Sequence, residues 1–147
     1  MTRQSWDRLR VILAVLGLLV AGYLTLLHYD TSVPLACSDT GVVDCAAVLS
    51  SPYAMLLGLP VALWGVGWFT VALGLGLGAL ARARGPEPPA LRWAGLLWSV
   101  VGGLFVAYLV SSELMIGKMC LWCTGVHVLV LAILVILVLS DPTRLEA

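Results

Sequence analysis

Charge is scarce in this chain. Only 11% of its 147 residues are Asp, Glu, Lys or Arg, against 61% hydrophobic, and that balance excludes a soluble globular domain, where charged residues make up about 25%. The formal net charge is zero, so composition offers no electrostatic case for a nucleic-acid or acidic partner. No internal repeat is evident. Cysteine is limited to four residues, Cys37, Cys45, Cys120 and Cys123, which fall into two separate pairs with no thiol left over. No stretch is left for a separate soluble domain.

What is present is apolar sequence in long runs. Val11 to Leu27, Leu56 to Ala81, Trp93 to Ser112 and Met119 to Leu139 each approach or exceed the roughly 20 apolar residues that cross a bilayer. No water is available in hydrocarbon to satisfy backbone groups, so each run must be helical. The expectation is an all-α integral membrane protein: one domain over residues 1–147, with four transmembrane helices at about 9–29, 56–81, 91–113 and 119–140 and a loop over 30–55. A cleaved signal peptide is the rival reading of the amino terminus. It fits poorly, because the first run is long, ends in His28-Tyr29-Asp30 and lacks a small-x-small cleavage site.

Orientation follows from the basic residues, which favour short cytoplasmic segments. Arg3, Arg8 and Arg10 precede the first run, Arg82, Arg84 and Arg92 flank the Gly85-Pro86-Glu87-Pro88-Pro89 turn, and Arg144 follows the last run. Both termini are therefore expected in the cytoplasm of a cell with this protein in its inner (plasma) membrane. The opposite side carries Asp30, Asp39, Asp44 and Glu113 against Lys118 alone. All four cysteines are expected there, in the oxidising compartment.

Within the outer loop, Ala46-Ala47-Val48-Leu49 has a helical pattern that Ser50-Ser51-Pro52 ends, and Gly58-Leu59-Pro60 precedes the second span with proline in a first-turn position. A short half-buried helix over the bundle mouth is the expectation, placed to cap a ligand pocket. Small residues let helices approach closely in lipid, so Gly74 and Gly78 are read as packing positions, as are Gly102 and Gly103, and Trp93 as an interfacial anchor.

Two cysteines at i and i+3 in a first helical turn lie close enough to bridge, and free N–H groups at a helix N-terminus stabilise a thiolate. Cys120 and Cys123 meet both conditions, with the apolar Trp122 between them. At a membrane boundary such a pair suits electron transfer to something dissolved in the bilayer. A zinc site built from all four cysteines would need the loop pair folded onto the helix pair, and no metal is expected. Cys37 and Cys45 read as either a permanent staple or a second redox pair. The helix-end pair on the same side favours the second. Glu113 and Lys118 are taken to flank a solvated turn, Lys118 being near enough in sequence to favour a Cys120 thiolate.

Cys37 and Cys45 separated by seven residues, then Ser50-Ser51, a Gly-Leu-Pro entry to the second span, and Cys-x-x-Cys opening the last together resemble the vitamin K epoxide reductase family, in its bacterial form without a fused thioredoxin-like domain. The resemblance runs from the first helix to the fourth. It implies a four-helix bundle around a quinone site, with ubiquinone or menaquinone as electron acceptor and a thioredoxin-like extracytoplasmic protein as donor. By the same resemblance Cys37 exchanges with that partner, Cys45 exchanges with Cys120, and the Cys123 thiolate reacts with the quinone. Ser50 and Ser51 correspond to the family's paired serines. Vertebrate members carry tyrosine four residues beyond the second helix cysteine, where this chain has His127.

His127 lies on the same helical face as Cys123, and an ionisable group in an apolar span is a functional candidate by default. It is read as a quinone-binding residue or proton donor, against the plainer reading of a buried imidazole satisfied by a backbone carbonyl. Trp64, Trp68, Trp98, Phe105 and Tyr108 are able to wall a flat ring site, and none is singled out. His28 and Tyr29 are read as interface anchors. The function expected is a thiol:quinone oxidoreductase supporting disulfide-bond formation. Its rivals are a tetraspan scaffold with a stapled loop, an epoxide or quinone reductase with a different substrate, and the unrelated periplasmic quinone reductase. In the last of these the Cys-x-x-Cys sits in the first outer loop, the reverse of the order here.

Overall fold

The computed structural model describes residues 2–30, 32, 34–37, 40–82, 85 and 88–140. Asp39, Arg84, Glu87 and Arg144, which entered the topology argument, lie outside the described residues. Thr2 caps the first helix by accepting the Ser5 N–H, and α1 runs Arg3–Tyr29. It begins well ahead of its apolar run because Asp7 lies one turn from both Arg3 and Arg10 and pairs with each. Neighbours three and four apart on a helix meet in this way, and the pairing lets a charged first turn be helical and partly buried.

The outer segment follows as a short helix α2 (Cys45–Leu49), a single 3-10 turn (Pro52–Ala54) and a minimal hairpin of β1 (Met55–Leu56) and β2 (Leu59–Pro60). Three long helices complete the chain: α3 (Val61–Ala81), α4 (Pro89–Ile116) and α5 (Leu121–Leu139). Helices α1, α3, α4 and α5 are each long and apolar enough to cross a membrane. They close into a membrane-spanning bundle in which α1 and α4 each pack on both α3 and α5. The short helix expected in the outer loop is α2.

The second span does not open at Leu56 with Pro60 in its first turn. Leu57 and Gly58 instead take φ of 53° and 80°, the paired left-handed turn whose twist suits a two-residue hairpin. Met55 pairs with Pro60 and Leu56 with Leu59, which leaves Pro60 as the cap before α3. Proline does occupy the first turn of α4, as Pro89. That helix ends on Gly117 at φ 69°, whose N–H reaches back to the Glu113 carbonyl at 2.9 Å. This left-handed stop suits glycine, and it turns the chain sharply into α5.

Close packing uses other glycines than Gly74 and Gly78. A Cβ on Gly74 would meet nothing within 4 Å, and one on Gly78 would make only ordinary contacts. The tight position between them is Gly76, where a Cβ would lie 3.2 Å from Val11 of α1. Gly17 of α1 lies directly against the fully buried Phe69 ring of α3. At the α3–α4 contact a Cβ on Gly102 would fall 2.6 Å from Trp68, and here the expected close crossing is present. Two indoles lock that crossing: the Trp68 N–H donates to the Trp98 carbonyl at 3.1 Å, and the Trp98 N–H donates to the Trp68 carbonyl at 3.0 Å. A polar group in hydrocarbon needs such a partner.

Arg3 donates to the Gly85 carbonyl at 2.8 Å, which ties the start of α1 to the α3–α4 turn beside Arg82 and Arg92. The described arginines therefore share one end of the bundle. The outer segment and all four cysteines occupy the other.

Replacing Gly17 by Ala should destabilise the bundle by about 1–3 kcal/mol through overpacking against Phe69. Gly74→Ala should be neutral or stabilising by up to about 1 kcal/mol, since it adds helix propensity in open space. Thermal unfolding of both variants in detergent micelles checks the contrast.

Candidate active site

The outer loop is buttoned to the head of α5 by backbone and charge. Val43 and Met119 form a parallel bridge, with the Met119 N–H donating to the Val42 carbonyl and the Asp44 N–H to the Met119 carbonyl, both at 2.9 Å. Lys118 donates to the Gly41 carbonyl at 2.6 Å and pairs with Asp44 at 3.8 Å. Lys118 thus holds the loop by named partners, in place of the thiolate role suggested by its position in sequence. Asp44 in turn caps α2, accepting the Ala47 N–H at 2.9 Å.

This register sets Cys45, the first residue of α2, beside Cys120, the residue that caps α5. Both are buried, and with Val48 they form a compact cluster against which Leu35, Cys37, Trp122 and Cys123 pack. Cys37 and Cys45 are joined as a disulfide, while Cys120 and Cys123 are free thiols. Cys45 is 1% exposed and Cys120 0%, whereas Cys37 is only partly buried. Of the loop cysteines, Cys37 is the less buried.

The stretch leading to Cys37 is held by two aromatic residues. Tyr23 of α1 donates to the Pro34 carbonyl at 3.0 Å and accepts the Ala36 N–H at 3.3 Å, and its ring meets Trp122 edge-on. Trp122 donates to the Ala36 carbonyl at 2.9 Å. The residue between the helix cysteines thereby fixes the backbone next to the loop cysteine.

The Cys120 sulfur accepts the Cys123 N–H at 3.4 Å. A hydrogen bond from the Cys123 thiol, helped by the N–H groups of Cys123 and Trp122, pulls the Cys120 thiol below its ordinary pKa, against burial and the nearby Glu113 carboxylate. An N–H group at the start of α5 thus points at the Cys120 sulfur, where it would favour a thiolate.

Below the sulfurs lies a cavity of about 780 Å³, within the range of small-molecule sites. Its wall is almost wholly apolar, and it includes Trp64, Trp68, Trp98, Phe105 and Tyr108, all of which the sequence left unassigned. Cys123 and His127 open onto it, and Cys120 does not. His127 is 5% exposed, and among the described residues its ring makes no hydrogen bond. Of the paired serines, Ser51 lines the cavity. Ser50 is off the wall, its hydroxyl donating to the Ala46 carbonyl at 2.8 Å at the exposed end of α2. His28, read as an interface anchor, reaches the cavity wall too, while its ring stacks edge-on with Tyr29.

Glu113 is the residue that sequence reasoning misplaced. It is 6% exposed, lies on the cavity wall and accepts the Cys120 N–H at 3.4 Å, so it does not flank a solvated turn. One signal was available: a carboxylate in the last turn of a helix opposes the macrodipole, which favours cations there. Among the described residues no group of three or more His, Cys, Asp or Glu is arranged to hold a metal.

A family model described as the vitamin K epoxide reductase family matches residues 8–138. No curated protein matches the chain. The family match takes in both cysteine pairs, the loop between them and nearly all of the four spans, and the bundle that carries them is a membrane one. The chain is thus an oxidoreductase by its family, and it belongs to the vitamin K epoxide reductase family.

Proposed function

We propose that this protein is a thiol:quinone oxidoreductase that carries electrons from a thioredoxin-like extracytoplasmic protein to a membrane quinone, ubiquinone or menaquinone. The observation that carries the reading is the order of the four sulfurs. Cys37 is partly exposed, Cys45 and Cys120 are buried in one cluster, and Cys123 opens onto the apolar cavity. On this reading the cysteine end faces the oxidising compartment and the arginine end the cytoplasm.

A partner thiolate attacks Cys37, forming a mixed disulfide and releasing Cys45 as a thiolate. Burial of Cys45 supports this choice of sulfur, since attack needs access to the bond. Cys45 then attacks Cys120 of an oxidised helix pair, which releases Cys123 toward the cavity. The partner's second thiol frees Cys37, and Cys37 recaptures Cys45 from Cys120. The product has Cys37 bonded to Cys45 and the helix pair reduced, the same bonding pattern as the structure. Oxidation of Cys120 and Cys123 to a disulfide then delivers two electrons and two protons, which convert the quinone to quinol. A step of about 30 mV between successive two-electron couples corresponds to about 1.4 kcal/mol, so small differences direct the flow.

His127 is proposed to hydrogen-bond a quinone oxygen, because its ring is buried on the cavity wall beside Cys123. Ser51 shares that wall. Ser50 is assigned to the support of α2.

Purified protein in micelles, given reduced partner and a short-chain quinone, should form quinol, and replacing any one of the four cysteines by Ala should bring turnover to background. Absence of quinol with the native protein would overturn the reading. Cys45→Ala should accumulate a dithiothreitol-sensitive conjugate between Cys37 and the oxidised partner, visible on a non-reducing gel. His127→Phe should slow quinol formation by about 10²-fold, the usual size of a lost proton donor, with conjugate formation unchanged. Equal turnover at saturating quinone would remove His127 from the mechanism.

A further inference from the structure

Quinone reduction by a dithiol moves protons as well as electrons, and the thiol next to the loop disulfide has no direct route to the cavity. Cys120 is completely buried and absent from the cavity wall. Its proton must cross to reach a quinone oxygen. Glu113 spans that gap: its carboxylate accepts the Cys120 N–H at 3.4 Å on one side and lines the cavity on the other. We propose that Glu113 is the proton carrier between Cys120 and the quinone, an inference that rests on the quinone-reductase reading above.

Several of the other polar groups on the wall are committed elsewhere. The Trp68 and Trp98 N–H groups serve each other's backbone carbonyls, and the Ser51 and Ser112 hydroxyls donate to the Val48 and Tyr108 carbonyls. Among buried wall residues, Glu113 and His127 are the non-thiol side chains with acid–base chemistry. A carboxylate in the last turn of α4 opposes that helix's dipole. Its place beside Cys120 suits it to serve as a base.

The balance is complete. Cys123 loses its proton and its sulfur donates an electron pair to the quinone ring, forming a carbon–sulfur bond. Glu113 takes the proton of Cys120 as that sulfur bonds to Cys123; the carbon–sulfur bond breaks and its electron pair stays on the ring. Glu113 then returns its proton to one quinone oxygen, while the Cys123 proton reaches the other, on the proposed reading through His127. Two thiols and one quinone become one disulfide and one quinol. While one proton is shared between Glu113 and Cys120, a thiolate and a carboxylate are not charged side by side.

Glu113→Gln tests the idea because the amide oxygen still accepts the Cys120 N–H but carries no proton at neutral pH. With reduced partner and a short-chain quinone, E113Q should lose about 10²-fold in kcat and keep its KM for quinone within about threefold; in a C45A background given oxidised partner, it should still form the Cys37 conjugate at the rate of C45A alone. Glu113→Asp, with a carboxylate on a shorter stem, should recover part of the kcat that E113Q loses. Native turnover by E113Q would overturn the proposal and leave the quinone-reductase reading standing. Equal loss in E113Q and E113D, or loss of conjugate formation together with turnover, would assign Glu113 to structure and overturn it as well. No quinol from the native protein would overturn both.

Discussion

The short parallel bridge between Val43 and Met119 is the constraint on which the site depends. Residues far apart in the chain are joined there by paired backbone hydrogen bonds, reinforced by Lys118 on Gly41 and Asp44. Without that register Cys45 and Cys120 would share a side of the membrane and nothing more. With it, both are buried in one cluster. Sulfur–sulfur exchange requires a thiolate to approach a disulfide directly, and this bridge brings one cysteine of each pair into a single cluster.

Apolar surroundings divide the labour among the sulfurs. Burial closes Cys45 and Cys120 to solvent, Cys37 is partly exposed, and Cys123 lies on the cavity wall, and on the proposed reading these settings correspond to different roles. Trp122 has a second use besides bulk, since its indole N–H holds the Ala36 carbonyl and thereby the backbone beside Cys37. Polar groups elsewhere in the bundle follow the same rule of internal satisfaction, most plainly where Trp68 and Trp98 exchange hydrogen bonds across the α3–α4 crossing. In hydrocarbon there is no water to replace such a partner. A buried residue such as His127 or Glu113 that faces the cavity is therefore conspicuous.

Sequence alone determined the spans, their helical state and the sorting of arginines from cysteines, because hydrocarbon thickness and the cost of unpaired backbone act on composition directly. The two-pair cysteine pattern likewise made the family legible. Hairpin formation at Leu57-Gly58 was not, since short-range turn chemistry in an apolar run is masked by the continuity of the run. Helix contacts were misjudged for a related reason: Gly74, Gly76 and Gly78 are alike in sequence, and only the neighbouring Val11 of α1 makes Gly76 the tight one. Tertiary structure alone decided which cysteines share a cluster, which serine reaches the cavity, and that Glu113 turns inward beside Cys120. Those are properties of loops and helix ends. Their positions follow from backbone pairing between distant segments, which no local pattern encodes.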